Sequence, residues 1–280
     1  MLAAAKTVYR PSILPGFGLT LGFTLTYLSL IVLIPLAVLF LNAAGVGGTK
    51  VWSELASARA LAAFRVTFGI AFLAALINSV FGLVIAWVLV RYPFPGRQLV
   101  DSLIDLPFAL PTAVAGITLA TLYAGNGWMG QVLAPIGLKV AFTPLGILVA
   151  LIFVSLPFVV RTVEPVLRNL DREVEEGAAL LGANRWQIIR HVILPPLLPA
   201  TLTGFTLAFA RALGEYGSVI FIAGNVPRVS EILPLLIVIK LEQFDYAGAT
   251  VLAAMMLTVS FVLLLAINVL QTWTRRWQGG

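Results

Sequence analysis

Residues 171–196 read DREVEEGAALLGANRWQIIRHVILPP, and this stretch decides how the rest of the chain is organised. It is a polar, helix-prone island in a sequence that is 60% hydrophobic and only 11% charged, with a mean hydropathy of +1.01. Asp171, Glu173, Glu175 and Glu176 lie inside it together with Arg172, Arg185 and Arg190, and Arg168 stands just before it. Soluble domains carry about 25% charged residues, so the flanking sequence is too apolar for a water-soluble fold. Several of its apolar runs exceed the roughly 18 residues that mark a spanning helix. Charges gathered into one segment of such a chain must face water or another protein. The island is therefore expected to meet a soluble partner; the alternative is an amphipathic helix lying on the inner leaflet, against which its acidic first helix speaks, since anionic lipid would repel it.

Outward from the island, the apolar runs predict six spans at roughly 17–42, 65–90, 103–124, 143–161, 197–223 and 247–271. The fold class is all-α and polytopic, with 1–280 a single transmembrane domain and 171–196 a loop within it. The run from Leu19 to Leu41 is longer than the 7–15 residues of a signal-peptide core and reads as a retained first span. Eleven of the basic residues fall on the island's side of the spans: Lys6, Arg10, Arg91, Arg97, Arg161, Arg168, Arg172, Arg185, Arg190, Arg275 and Arg276. Six fall on the other: Lys50, Arg59, Arg65, Lys139, Arg228 and Lys240. The positive-inside rule then predicts that both termini and the island are cytoplasmic, with Trp273 and Trp277 as interfacial anchors of the last span. The net charge of +6 follows from this topology and does not point to nucleic acid.

The chain has no cysteine and a single histidine, His191, which leaves no thiolate or multi-histidine metal centre and no histidine triad to propose. None of its four lysines sits in a G-x-x-x-x-G-K-[ST] phosphate loop, and no G-x-S-x-G, H-E-x-x-H or C-x-x-C is present. The chain is not expected to be an enzyme or to hold a metal or cofactor; ATP chemistry would have to come from a partner.

The island reads as two short helices. Asp171 suits the N-cap of the first, and acidic residues in its first turn suit the helix dipole. Gly182 fits the position just past its end. Asn184 followed by Gln187 resembles a capping box for the second, which is expected to stop at Pro195-Pro196. Gly177 and Ala178 leave a bare patch for a close approach, with Glu175 and Glu176 supplying fixed charge. In the third span, Pro107 and Pro111 lie one turn apart and read either as a broken, pathway-lining helix or as an ordinary packed kink. Arg211 and Glu215 share one face of the fifth span. They serve either an anion pathway or a structural ion pair at membrane depth. Asp105 is a helix cap or part of a gate. Lys50, Arg59, Arg228 and Lys240 can help receive an anion or a binding protein, or are simply solvated.

Glu176-Gly177-Ala178, Gly182 and Val192-Ile193-Leu194-Pro195 resemble the E-A-A…G…I-x-L-P loop of ABC importer permeases, with glycine at one alanine position and valine at one isoleucine position. DLPFALPTAVAGITLATLY (105–123), SLPFVVRTVEPVL (155–167), RALGEYGSVIFIAGN (211–225) and LEQFDYAGA (241–249) resemble the sulfate/thiosulfate permease subunits of that class, relatives of the molybdate and tungstate permeases. The resemblance covers nearly the whole chain. It implies the type I ABC importer permease fold in a bacterial inner membrane, and import of sulfate or thiosulfate, with molybdate or tungstate as the alternative. An ion-gradient-driven secondary transporter is the more distant alternative; no paired repeat between the halves supports it. The resemblance further implies two copies of an ATP-hydrolysing subunit carrying ATP and Mg, docked on Glu175, Glu176, Gly177, Ala178, Gly182, Leu194 and Pro195. A second permease subunit, sibling or identical, an extracytoplasmic sulfate-binding protein and membrane lipid complete the expected partners.

Overall fold

The computed structural model describes residues 16–278. Lys6 and Arg10 lie outside the described residues, as do the side chains of Trp273, Arg275, Arg276 and Trp277. No strand occurs among the described residues. The helices, in chain order, are α1 (Phe17–Gly45), α2 (Gly48–Leu55), α3 (Ala58–Arg91), α4 (Arg97–Ile104), α5 (Leu106–Ala109), α6 (Thr112–Tyr123), α7 (Trp128–Leu133), α8 (Pro144–Arg168), α9 (Arg172–Leu180), α10 (Arg185–Leu213), α11 (Val219–Ile222), α12 (Leu233–Glu242) and α13 (Tyr246–Gln278). Five of them, α1, α3, α8, α10 and α13, are long and apolar enough to cross a membrane; α6 is apolar but only 12 residues long.

Several of the expected spans need correction, the second beginning already at Ala58. The third, 103–124, is not one kinked helix but three pieces, α4, α5 and α6, with Leu110 in an extended conformation between the last two. The fifth, 197–223, ends at Leu213; residues 214–218 leave the helix and α11 adds one turn beyond them. The fourth runs on past residue 161 to Arg168. The helix expected to stop at Pro195-Pro196 continues without interruption into the fifth span. A π-helical turn at Ile189–Ile193 directly precedes the prolines, and they occupy the first turn after it, where a missing N–H is tolerated.

The core forms where α3, α8 and α10 pack against one another. Lipid is as apolar as leucine, so helices in a membrane associate by close packing and interhelical hydrogen bonds. The buried face of α3 answers that requirement. Ala60, Ala63, Thr67, Ala71, Ala74, Asn78, Gly82 and Ala86 recur every three or four residues, which puts one stripe of small side chains on one side of the helix. A Cβ on Gly82 would lie 2.8 Å from Val159 Cγ1, and one on Gly204 of α10 would lie 2.9 Å from Val159 Cα. Both helices therefore close onto the same residue of α8. Asn78 donates to Ile152 O (3.0 Å) and Ser155 Oγ (2.9 Å) within this contact, and Gln271 of α13 donates to Leu202 O and Thr206 Oγ1 of α10. By contrast α1 buries no residue and lies against α13.

The end of the bundle away from the 171–196 loop is fastened by ion pairs. Arg59 holds the almost fully buried Glu231 through two bonds of 2.8 and 2.6 Å. Lys240 bridges Glu54 (2.7 Å) and Asp245 (2.9 Å), and Lys50 reaches Asp245 at 3.3 Å. The Lys240 ammonium, helped by the Gly248 N–H, lowers the Asp245 carboxyl to a pKa of about 2. Burial works against the Lys240 charge, but its bonds to Glu54 and Asp245 outweigh that, and its pKa is raised. Lys50, Arg59 and Lys240 are thus engaged in ion pairs rather than simply solvated. Of the four cations considered there, Arg228 is exposed and sits in left-handed backbone at φ 66.

Gly204→Leu forces a side chain into the α8 backbone. It should cost about 1–3 kcal/mol, seen as a lower thermal midpoint of the detergent-solubilised protein. Gly177→Ala meets nothing within 4 Å and should be neutral or stabilise by up to about 1 kcal/mol; equal losses in the two variants would contradict the close-packed core.

Candidate functional site

Two constellations stand out, one at the loop and one where helices break inside the bundle. In the loop, α9 begins after Asp171, whose backbone takes the N-cap conformation but whose side chain makes no capping bond. The expected cap is therefore not formed by this side chain. The other end follows the sequence reading. Gly182 adopts φ 86, Gly182 N bonds Ala179 O (3.0 Å), and Ala183 N bonds Ala178 O (3.1 Å). This pair of bonds is the Schellman closure that only a left-handed residue allows. Asn184 and Gln187 then form a complete capping box, with reciprocal bonds of 2.9 and 2.8 Å.

The loop is held at a fixed angle by Arg91, the last residue of α3. Its guanidinium donates to Glu175 Oε1 (2.5 Å) and Leu170 O (3.1 Å) and lies over the Trp87 ring, 5.6 Å from its centre. Arg172 returns a bond to Arg91 O, which suits a cation at a helix C-terminus. Glu175, grouped by the sequence with the docking residues, turns inward as this anchor. Glu176 faces outward beside a cavity of about 610 Å³ that also borders Trp87, Tyr92 and Arg185. Gly177 and Ala178 are half-buried, as are Leu194 and Pro195, which lie within continuous α10.

Anchoring leaves the loop tip bare. Leu180 is 89% exposed, Leu181 91% and Trp186 69%. Burying a leucine side chain is worth about 1.5–3 kcal/mol, so three large apolar groups at one tip mark a contact surface. The sequence reading, drawn to the charges and small residues, passed over them. The signal was present: Leu180-Leu181 stands at the end of a polar helix, directly before its terminating glycine.

The second constellation joins two broken segments. The first turn of α6, just after Pro111, meets the break at 214–218: a Cβ on Gly217 would lie 2.2 Å from Thr112 Oγ1, and one on Gly116 would lie 2.3 Å from Ser218 O. Glycine at both positions lets the two backbones cross in contact. Glu215 organises the crossing. Its Oε2 accepts from Arg211 Nη1 (2.5 Å), and its Oε1 accepts from Ser218 N (2.8 Å) and Ser218 Oγ (2.9 Å). The carboxylate therefore spans from the last turn of α10 to the start of α11 and is 2% exposed. Arg211 is 30% exposed and spends one nitrogen on this bond.

Pro107 lies one turn nearer the loop, where Phe108 packs edge-on against Phe158 of α8 at 5.1 Å. Asp105, read from sequence as a cap or a gate residue, makes no capping bond; it is bound by Arg161 of α8, which also holds Asp101 and Glu164. In the sequence Arg161 is one loop-side cation among eleven, with no local pattern that marks it. Among the described residues no group of three or more histidine, cysteine, aspartate or glutamate side chains is placed to hold a metal ion.

Comparison with known proteins agrees with this architecture. The family of binding-protein-dependent transport system inner membrane components matches residues 78–278. The sulfate transport system permease protein CysT of Synechococcus elongatus is 54% identical over 257 residues, covering 92% of each chain. The protein of the same name from Escherichia coli is 50% identical over 260 residues, covering 93% of this chain and 94% of the relative. Among solved structures, a chain of a bacterial ABC transporter involved in importing the acidic polysaccharide alginate superposes with a TM-score of 0.74 at 17% identity, covering 92% of this chain and 94% of that one. A chain of the MetNI methionine ABC transporter gives 0.54 at 20% identity, covering 76% of this chain and 94% of the other. With its multiple apolar spans and this breadth of identity, the chain belongs to the binding-protein-dependent inner membrane transport components and, within them, to the sulfate transport system permeases.

Proposed function

We propose that the chain is the membrane-spanning subunit of an ATP-driven importer for sulfate or thiosulfate. It works with a second permease subunit and an extracytoplasmic binding protein. Residues 171–196 and both termini lie on the cytoplasmic side, where the loop docks two ATP-hydrolysing subunits. ATP and Mg belong to those subunits. Relatives named as sulfate permeases at 50–54% identity over more than nine-tenths of the chain support sulfate over molybdate or tungstate.

The observation that carries the coupling role is the loop tip. Leu180, Leu181 and Trp186 project from a loop that Arg91 and two helix-ending motifs hold rigid. A rigid apolar tip fits a groove in a soluble partner, and ordering it on binding costs little because it is already ordered. At membrane depth, the paired breaks at Pro111 and at Gly214–Ser218 supply the discontinuous helix ends from which transporters build substrate paths. Glu215 has the role of scaffold there, and Arg211 that of the cation offered to the dianion.

Leu181→Asp should weaken docking of the ATPase about 10- to 100-fold, matching the loss of roughly 1.5–3 kcal/mol of apolar burial. Pull-down of the ATPase by the solubilised permease measures this, with insertion into the membrane unchanged. Glu176→Lys should abolish ATP-coupled uptake in the same way. Arg211→Gln should lower sulfate uptake while the complex still assembles, whereas Glu215→Gln, which weakens the carboxylate's three bonds, should reduce the yield of assembled protein. The reverse pattern would exchange the two roles. ATPase activity of the reconstituted complex should rise with sulfate-loaded binding protein and not with the molybdate-loaded form; uptake without any ATPase subunit would overturn the reading.

A further inference from the structure

Arg161 uses all five of its N–H donors. Nε and Nη2 hold the two oxygens of Asp105 at 2.8 and 2.6 Å, Nη1 holds Asp101 (2.7 Å) and Glu164 (2.7 Å), and Nη2 also reaches Asp101 O at 3.0 Å. Only a guanidinium can serve so many partners in one plane; an ammonium has three donors and no fork. The partners divide between two bodies. Asp101 and Asp105 flank the end of α4, immediately before the Pro107–Pro111 break, whereas Glu164 belongs to α8 and also accepts from Arg168. The α4 helix has little else to hold it, since Ile104 is its one buried residue.

Along the chain, Arg161 stands two turns before the end of α8. Three residues then lead into α9, and the carbonyl of one of them, Leu170, is held by Arg91. A continuous set of bonds therefore runs from the loop, through the last turns of α8, across Arg161, to the segment that carries Pro107 and Pro111. That segment leads into the α6 turn pressed against the Glu215 break. We infer that Arg161 is the positioning residue that makes the loop and the broken third span move as one body, so that displacement of the loop by the ATPase reaches the transport path. This rests on the importer reading and names the link within it. Asp101 and Asp105 are 40% and 47% exposed, so water screens these pairs, but the bidentate geometry and shared network place them above an isolated surface pair.

The test measures ATP hydrolysis and sulfate uptake in the same proteoliposomes, with the complete complex and sulfate-loaded binding protein. Arg161→Gln should leave hydrolysis near that of the unaltered complex while uptake per ATP falls about 5- to 150-fold, the range of ordinary coupling energies. Arg161→Lys should lie between the two. The double variant Asp101→Asn, Asp105→Asn, which leaves Arg161 paired with Glu164, should reproduce the loss and decides the matter should Arg161→Gln not assemble. An unchanged ratio, a proportional fall of both activities, or failure of the double variant to assemble would overturn the inference. Failure of the unaltered complex to import would instead overturn the importer reading on which it stands.

Discussion

A peptide group that leaves a helix inside hydrocarbon must find a partner in the protein, because lipid offers none. This constraint governs the arrangement of the molecule. The third and fifth spans both break, and the start of α6, just after the first break, lies against residues 214–218 of the second. Gly116 and Gly217 bring the two backbones together, and Glu215 takes the amide and hydroxyl of Ser218. The same rule operates at the start of α12, whose first amide bonds Thr67 Oγ1 at 2.8 Å. The small-residue stripe of α3 matters for the same reason. It lets α8 and α10 approach closely, so that few backbone groups of the core helices face lipid.

The charges divide the molecule into regions with different duties. At the end remote from the loop, Glu231, Glu54 and Asp245 are matched by Arg59, Lys240 and Lys50, which fastens the helices there to one another. Near the loop, the arginines are shared. Arg91 fixes the loop against α3, and Arg161 ties the broken span to α8. Glu175 and Asp105 are both acidic residues in segments the sequence marks as functional, yet each is spent on an intramolecular arginine.

Much of this was legible in the sequence where local chemistry is decisive. Gly182 and the Asn184/Gln187 pair form the predicted helix ends because φ and capping bonds depend on near neighbours. The Pro107/Pro111 spacing announced a disrupted helix. What the sequence could not show was set by distant partners. Asp171 reads as a cap, but its side chain makes no capping bond. Pro195-Pro196 reads as a stop, but a π-turn just upstream lets the helix pass through. The fifth span reads as continuous through Glu215 because Arg211 and Glu215 have helical spacing; the helix instead ends at Leu213, and the carboxylate bridges the gap. Arg161 is invisible as a hub until Asp101 and Asp105, some 60 residues away, are brought beside it.

The passage of α10 through Pro195-Pro196 has a mechanical consequence. Its 29 residues make a rod of about 43 Å at 1.5 Å per residue, with the capped Asn184 at one end and Arg211 near the other. A rod of that length is a lever. Tilting it by about 5° at one end sweeps the far end through roughly 4 Å, comparable to the radius of a small oxyanion with its first contacts. The π-turn, and Pro199 beyond it, where a backbone donor is missing, are the places along its length where such a lever yields.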